Sequence, residues 1–172
     1  MRFLPVFRFS SFGFSTLTST LLVLALAHAA PVRAQWPAET PSTRAVAEVF
    51  NAGIAAFNAH DLDTFMRQWD DDVEMYTPTG WVRGKPAVRE RFAGTFAQFP
   101  NVRMDVHGLR LREAAPGIVI VDFSWAVYPM GRGPAFHGLS SGVYLRRGES
   151  WVEVLEHETV TRVDPELTRA RP

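Results

Sequence analysis

The chain has 172 residues, with 18 basic and 18 acidic side chains and no cysteine. A neutral balance without a lysine-rich stripe argues against a nucleic-acid-binding surface. The absence of cysteine excludes thiol catalysis, thiolate zinc sites and iron–sulfur clusters, and the length suits a single domain.

Residues 1–34 have the layout of a secretory signal peptide. Arg2 and Arg8 precede an apolar run, "LLVLALAHAA", and small residues follow it in "HAAPVRAQ". The run is short for a membrane anchor, which needs about 20 apolar residues. We therefore expect cleavage after Ala29 or Ala34, export to the periplasm or the outside of the cell, and no membrane attachment of the processed chain.

Two helices are predicted after a linker at residues 35–43. Ser42 or Thr43 is the expected N-cap of the first helix, and Asp61 or Asp63 that of the second. Apolar residues recur in both at helical spacing. They are Val46, Val49, Phe50, Ile54 and Phe57 in the first helix, and Leu62, Phe65, Met66 and Trp69 in the second.

Six carboxylates between residues 58 and 80 raise the question of a metal site or a proton-transfer site. They are Asp61, Asp63, Asp70, Asp71, Asp72 and Glu74. A calcium loop needs alternating oxygen ligands around a central glycine, whereas apolar residues of the second helix fill the spacing here. We interpret the acidic residues as a helix cap and a solvated turn at residues 70–72, and we predict no metal site.

A third helix is predicted from Pro86 to Phe99, and the apolar period changes from 3.6 to 2 after residue 101. The strands are "VRMDVHGLRL", "GIVIVDFSWAVY", "AFHGLSSGVYLRR" and "WVEVLEHETVTRV". Helices followed by an antiparallel meander indicate an α+β fold, in which a curved antiparallel sheet wraps around three N-terminal helices. The domain is expected to span residues 44–163, with a flexible tail at 164–172.

The phrases "AFNAHDLDTFMRQWDDDVEMYTPTG", "RGKPAVRERF" and "GVYLRRGESWVEVLEHETV" occur in an order that resembles the nuclear transport factor 2-like superfamily and its SnoaL-like branch. The resemblance covers about residues 44–161. It implies a cone-shaped, cystatin-like α+β roll with an apolar internal pocket, and pairing into a homodimer through the outer sheet face. Relatives include isomerases, cyclases, dehydratases, hydrolases and non-enzymatic association domains, so the fold does not give the chemistry.

Ketosteroid isomerases of this superfamily use an aspartate base with a tyrosine and a protonated aspartate. The resemblance places these three groups at Gly53, Thr77 and Ser141, none of which has the required side chain. It therefore argues against that reaction.

Alignment with these isomerases also predicts which face of each strand lines the pocket. It turns Asp122, Ser124 and Ala126 inward and leaves an apolar set for the outer face, which would need a partner such as a second copy. That outer set is Val119, Val121, Phe123, Trp125 and Val127. Side chains expected to line the pocket are Met75, Thr77, Trp81, Ser124, His137, Ser141, Leu155 and Thr159.

Asp122 and His157 are the predicted acid/base pair, because a buried carboxyl beside an imidazole can exchange protons near neutral pH. Two hypotheses stay open. In the first, the domain catalyses proton transfer on a small apolar molecule, as in isomerisation, cyclisation or dehydration. In the second, it is a non-catalytic ligand-binding or dimerisation module, and Asp122 and His157 are core polar groups. Neither requires a cofactor.

Overall fold

The computed structural model describes residues 38–131 and 133–165. The predicted signal peptide, the start of the linker and most of the tail lie outside the described residues. The helices are α1 (Pro41–Asn58), α2 (Leu62–Phe65) and α3 (Lys85–Gln98). The strands are β1 (Trp69–Thr77), β2 (Gly80–Arg83), β3 (Arg103–Ala115), β4 (Ile118–Tyr128), β5 (Ala135–Arg147) and β6 (Ser150–Asp164). The predicted α+β class is confirmed.

Helix α1 begins inside the segment that was predicted to be a linker. Thr40 is its N-cap, and the Thr40 side chain accepts a hydrogen bond from the Thr43 backbone N–H at 3.2 Å. The Thr43 hydroxyl accepts in return from the Thr40 N–H at 2.9 Å, which completes a capping box. Pro41 fits the first helical position because its missing N–H has no intrahelical partner there.

The acidic stretch is partly a cap, as predicted, and partly a strand. Asp61 caps α2 by accepting from the Thr64 N–H at 3.0 Å, and this hydrogen bond lowers the pKa of Asp61. A single turn of 3-10 helix (Met66–Gln68) ends the helical segment, and β1 begins at Trp69. Asp70 to Asp72 therefore belong to a strand and not to the predicted turn, because β1 already pairs with β6 at Trp69.

Carboxylates of this stretch form ion pairs with basic residues elsewhere in the chain. Asp70 lies 3.1 Å from Arg147, and Asp71 lies 3.5 Å from Lys85. Within residues 38–131 and 133–165, no three His, Cys, Asp or Glu side chains are grouped so that they could hold a metal ion.

The six strands form one open, curved sheet in the order β2-β1-β6-β5-β4-β3. Strands β3 to β6 make the predicted antiparallel meander. The hairpin of β1 and β2 joins this sheet through a parallel pairing of β1 with β6, which periodicity did not indicate. None of the described helices is both long and apolar enough to cross a membrane.

The orientation predicted for β4 is wrong. Val119 and Val121 are fully buried, and the Phe123 ring packs edge-on against Phe50 of α1 with 4.8 Å between ring centroids. The apolar face of β4 is thus the inner face, and Asp122 and Ser124 lie on the outer face. The physical reason is that burial against α1 removes this apolar surface from water without needing a second chain.

Candidate functional site

A cavity of about 350 Å³ lies between the inner face of the sheet and the helices. This volume is at the lower end of the range for small-molecule pockets. Its wall is mainly apolar, as the predicted internal pocket requires. The aromatic lining residues are Phe50, Phe57, Phe65, Trp69, Phe92, Phe99, Phe123, Trp125 and Phe136.

Three carboxyl groups of β6 enter this apolar wall: Glu153, Glu156 and Glu158. Strict alternation along a strand would put Glu153 and Glu156 on opposite faces. The register shifts between them, because Glu153 pairs with Tyr144 and Leu155 pairs with Val143. This β-bulge adds one residue to β6, so both glutamates face inward.

Small residues on the neighbouring elements leave room for the polar side chains. A Cβ on Gly142 of β5 would lie 2.1 Å from Glu153 Oε1, so the carboxyl occupies the space of the missing side chain. Gly53 of α1 does the same for Gln68, whose amide atoms would lie 2.4 Å from an added Cβ. A larger residue at Gly142 or Gly53 would collide with Glu153 or Gln68, so the position of each polar side chain depends on the glycine beside it.

Tyr144, Gln68 and Glu153 form a buried hydrogen-bonded group. The Tyr144 hydroxyl oxygen lies 3.2 Å from Gln68 Oε1 and 3.0 Å from Glu153 Oε2. Burial raises the pKa of the Glu153 carboxyl well above its usual range, and the nearby charge of Glu156 adds to that rise. Burial also raises the pKa of Tyr144, so this hydroxyl keeps its proton.

Glu156 is 8% exposed, and burial raises the pKa of its carboxyl to about 7. The charge of Glu158 raises it further, whereas a hydrogen bond from Ser140 and the charge of Arg91 oppose the rise. Arg91 donates directly to Glu158. The Ser140 hydroxyl also accepts from Trp125 Nε1 at 3.1 Å, which fixes its position. A carboxyl of this kind can hold or release a proton at neutral pH.

The predicted pair Asp122 and His157 lies on the outer face of the sheet. Ser141 stands between them in register and donates a hydrogen bond to Asp122 at 2.7 Å. The His157 ring packs beside Tyr76 of β1, with 5.1 Å between centroids. Asp122 and His157 do not line the cavity, so the interior proton-transfer role predicted for them has no support from their position.

The other predicted ligand-binding residues also lie away from the cavity wall. Met75 and Thr77 face inward, as predicted, and are buried, but neither lines the cavity. Trp81 is 49% exposed and packs on Tyr76. The other predicted residues lie outside the cavity lining: Ser124, His137, Ser141, Leu155 and Thr159. His137 Nε2 is within 2.9 Å of both Asp164 and Arg162.

The sequence-based prediction missed the polar groups that do line the cavity: Gln68, Thr79, Arg91, Thr95, Ser140, Glu153, Glu156 and Glu158. The sequence of β5 did contain one indication that large side chains enter the cavity beside it. Gly138, Ser140 and Gly142 place three small residues on one face of β5, which indicates that larger side chains fill the space beside them. The bulge that turns Glu156 inward leaves no such signal in the sequence.

The sequence profile of the SnoaL-like domain matches residues 50–154. The chain belongs to the SnoaL-like domain family. The predicted resemblance is confirmed. The sequence matches no curated protein.

Solved structures share the fold of this SnoaL-like domain. An uncharacterised protein with a cystatin-like fold from Caulobacter vibrioides is 18% identical, with a TM-score of 0.62 over 70% of this chain and 89% of that one. A type 2 hexachlorocyclohexane dehydrochlorinase is 15% identical, with a TM-score of 0.64 over 76% and 94%. A nuclear transport factor 2-like protein of unknown function from Pseudomonas putida is 13% identical, with a TM-score of 0.64 over 72% and 89%. At these identities the likeness shows the fold alone.

Proposed function

We propose that this SnoaL-like domain binds a small, mainly apolar molecule in its cavity and transfers a proton with the carboxyl of Glu156. The observation that supports this function is the position of Glu156, which is 8% exposed on the wall of a mainly apolar cavity. Arg91 is paired with Glu158, so it does not hold Glu156 permanently ionised. Enzymes tune carboxyl groups for acid/base chemistry by burial of this kind.

Proton abstraction from carbon, leading to elimination or isomerisation, is the reaction class that fits this site. The base would be the ionised form of Glu156, and the apolar wall would exclude water from the transferred proton. One protein with a similar fold is named as a dehydrochlorinase, an elimination enzyme. The support for this chain nevertheless comes from its own glutamates, because the identity is 15%.

The test uses a nitrobenzisoxazole, an apolar bicyclic probe that any suitably placed base can open. The base removes the ring C–H proton, the released electrons form a nitrile, and the N–O bond breaks to give a coloured phenolate. We expect the wild-type protein to accelerate this opening above the rate in buffer. Glu156→Gln should remove the acceleration, because the amide cannot accept the proton.

Asp122→Asn supplies the matched carboxyl-to-amide change on the outer face. It separates the sequence-based assignment of Asp122 from the cavity-based assignment of Glu156. The proposal predicts that Asp122→Asn keeps the wild-type rate. Loss of the rate in Asp122→Asn with retention in Glu156→Gln would contradict it. Saturable binding of the probe without any acceleration would favour the alternative of a non-catalytic binding module.

The outer sheet face supports a further proposal about partners. Four large apolar side chains there are exposed, which is costly in water unless they are covered. They are Tyr76 (42%), Trp81 (49%), Leu139 (53%) and Leu155 (36%). We propose that a second copy of the chain covers them, in place of the buried Val119–Val127 face predicted from the sequence.

Export is likewise proposed and rests on the sequence of residues 1–34. Intact mass spectrometry of the protein recovered from the host's extracellular or periplasmic fraction tests it. A mass corresponding to a chain that begins at Ala30 or Gln35 is expected, and a full-length mass in that fraction would contradict it.

A further inference from the structure

The Tyr144 hydroxyl has more oxygen neighbours than it has protons. Gln68 Oε1 is 3.2 Å from it and Glu153 Oε2 is 3.0 Å from it, and Tyr144 is fully buried. A tyrosine has one O–H to donate, and an amide oxygen can only accept. If Glu153 were ionised, one of these two contacts would join two oxygen atoms without a proton between them, which is unfavourable for buried polar groups.

The arrangement is complete when Tyr144 donates to Gln68 and Glu153 supplies the second proton. We propose that Glu153 is a neutral carboxylic acid in the folded domain, that it donates its proton to the Tyr144 oxygen, and that Glu156 is the carboxyl among the described cavity residues whose charge changes near neutral pH. Glu153 is then a positioning residue that acts through Glu156.

The charges around Glu153 support this assignment. Tyr144 faces it from β5, Glu156 lies on the same strand, and its neighbour in register on β1 is the uncharged Trp69. Arg91 of α3 acts on Glu156 and Glu158 but does not act on Glu153. A carboxyl that is 4% exposed and has no cation beside it within residues 38–131 and 133–165 favours its neutral form strongly.

A neutral Glu153 determines what the cavity can bind. Arg91 balances the charge of Glu158, so the charge of the lining follows the protonation of Glu156. The cavity is then uncharged or carries one negative charge, and it selects uncharged apolar molecules over carboxylates. This inference rests on the proposed function and deepens it, because it removes Glu153 as a source of negative charge beside Glu156 and leaves only the charge of Glu158, which is paired with Arg91.

The test follows the titration of Glu156 by NMR of isotope-labelled glutamate carboxyls, with the resonance assigned through Glu156→Gln. In Glu153→Gln, a neutral amide that can also donate to Tyr144 replaces the neutral acid. We therefore expect the pKa of Glu156 to stay within about 0.3 units of the wild-type value. If Glu153 is ionised in the wild type, removal of that charge should lower the pKa of Glu156 by about 1 unit or more. That result would overturn the proposal. It is also the result expected if the Gln68 amide is reversed, because its nitrogen would then donate to Tyr144 and Tyr144 would donate to an ionised Glu153.

Glu158→Gln is the control that shows the method can detect a neighbouring charge. Glu158 raises the pKa of Glu156 through its charge, so its removal should lower that pKa. A second readout applies if Glu153→Gln does not fold. In the wild type, one glutamate resonance should keep the chemical shift of a protonated carboxyl above the pKa of Glu156, and Tyr144→Phe should move it. Complete ionisation of all glutamates there would also overturn the proposal. These measurements involve no substrate, so a failed probe reaction leaves their outcome unaffected.

Discussion

Substitution of Gly142 by alanine tests whether the shape of the cavity wall depends on the Glu153 carboxyl. The added methyl group would lie 2.1 Å from Glu153 Oε1 and 3.2 Å from its Cδ. The first distance is shorter than real Cβ contacts and the second is unusually short, so the carboxyl has to move. Gly142 does not have a left-handed φ, so alanine introduces no backbone strain of its own.

The cost has two parts that the structure defines. Overpacking of a close-packed interior costs about 1–3 kcal/mol. Displacement of Glu153 also breaks its 3.0 Å hydrogen bond to Tyr144, which contributes about 1 kcal/mol net. We expect Gly142→Ala to lower the free energy of unfolding by about 2–4 kcal/mol. Gly94→Ala is the matched control, because an added Cβ there meets nothing within 4 Å in the middle of α3 and should stabilise the helix by up to about 1 kcal/mol.

Urea unfolding followed by tryptophan fluorescence measures both changes. The same Gly142→Ala substitution is then made in a Glu153→Ala background, where the methyl group meets no carboxyl. The cost should fall in that background, with a coupling energy of about 1–3 kcal/mol between the two positions. An equal cost in both backgrounds would refute the reasoning.

Three further predictions concern Glu156, Tyr144 and the exposed outer face. The pKa of the Glu156 carboxyl is raised in the folded state from 4.5 to about 7, so the folded state binds this proton more tightly, and Glu156 alone should lower the stability by roughly 3 kcal/mol as the pH rises through that window. A neutral Glu153 adds a fall of its own over the same window, because its pKa is also raised on folding. Urea midpoints should therefore fall less across the window in Glu156→Gln than in the wild type, and equal falls in the two proteins would contradict the assignment. Tyr144→Phe should cost about 1–3 kcal/mol in thermal or urea unfolding, because it leaves Gln68 and Glu153 without their shared partner; an unchanged stability would argue against the buried hydrogen-bonded group. Leu139→Lys, which places a charge on the exposed outer face, should turn a dimer into a monomer in analytical ultracentrifugation, whereas a wild-type monomer would contradict the proposed pairing.

The spacing of apolar residues was sufficient to predict the fold class, but it did not predict where β1 begins or that β1 pairs with β6. The apolar spacing of Val46, Phe50 and Phe57 predicted α1, because these residues pack into the core. The start of β1 at Trp69 was missed, since its pairing partner Glu153 lies 84 positions further along the chain. A local pattern cannot show such a contact.

The site was predicted on the wrong face for a specific reason. An alignment placed Asp122 in the pocket and left Phe123 and Trp125 outside, although simple burial of apolar surface favours the opposite orientation. In the structure Phe123 and Trp125 are buried on the inner face, and Asp122 lies on the outer face. Glu156 could not be identified from alternation, because its orientation depends on the bulge between Glu153 and Leu155.

The pH dependence of nitrobenzisoxazole opening tests most directly the claim that Glu156 is the acid/base group of the cavity. The wild-type rate should rise with pH and level off above an inflection near 7, as the buried carboxyl loses its proton and becomes the base. The inflection should disappear in Glu156→Gln. A wild-type profile that inflects at the ordinary carboxyl pKa near 4.5, or one that is unchanged in Glu156→Gln, would contradict the claim.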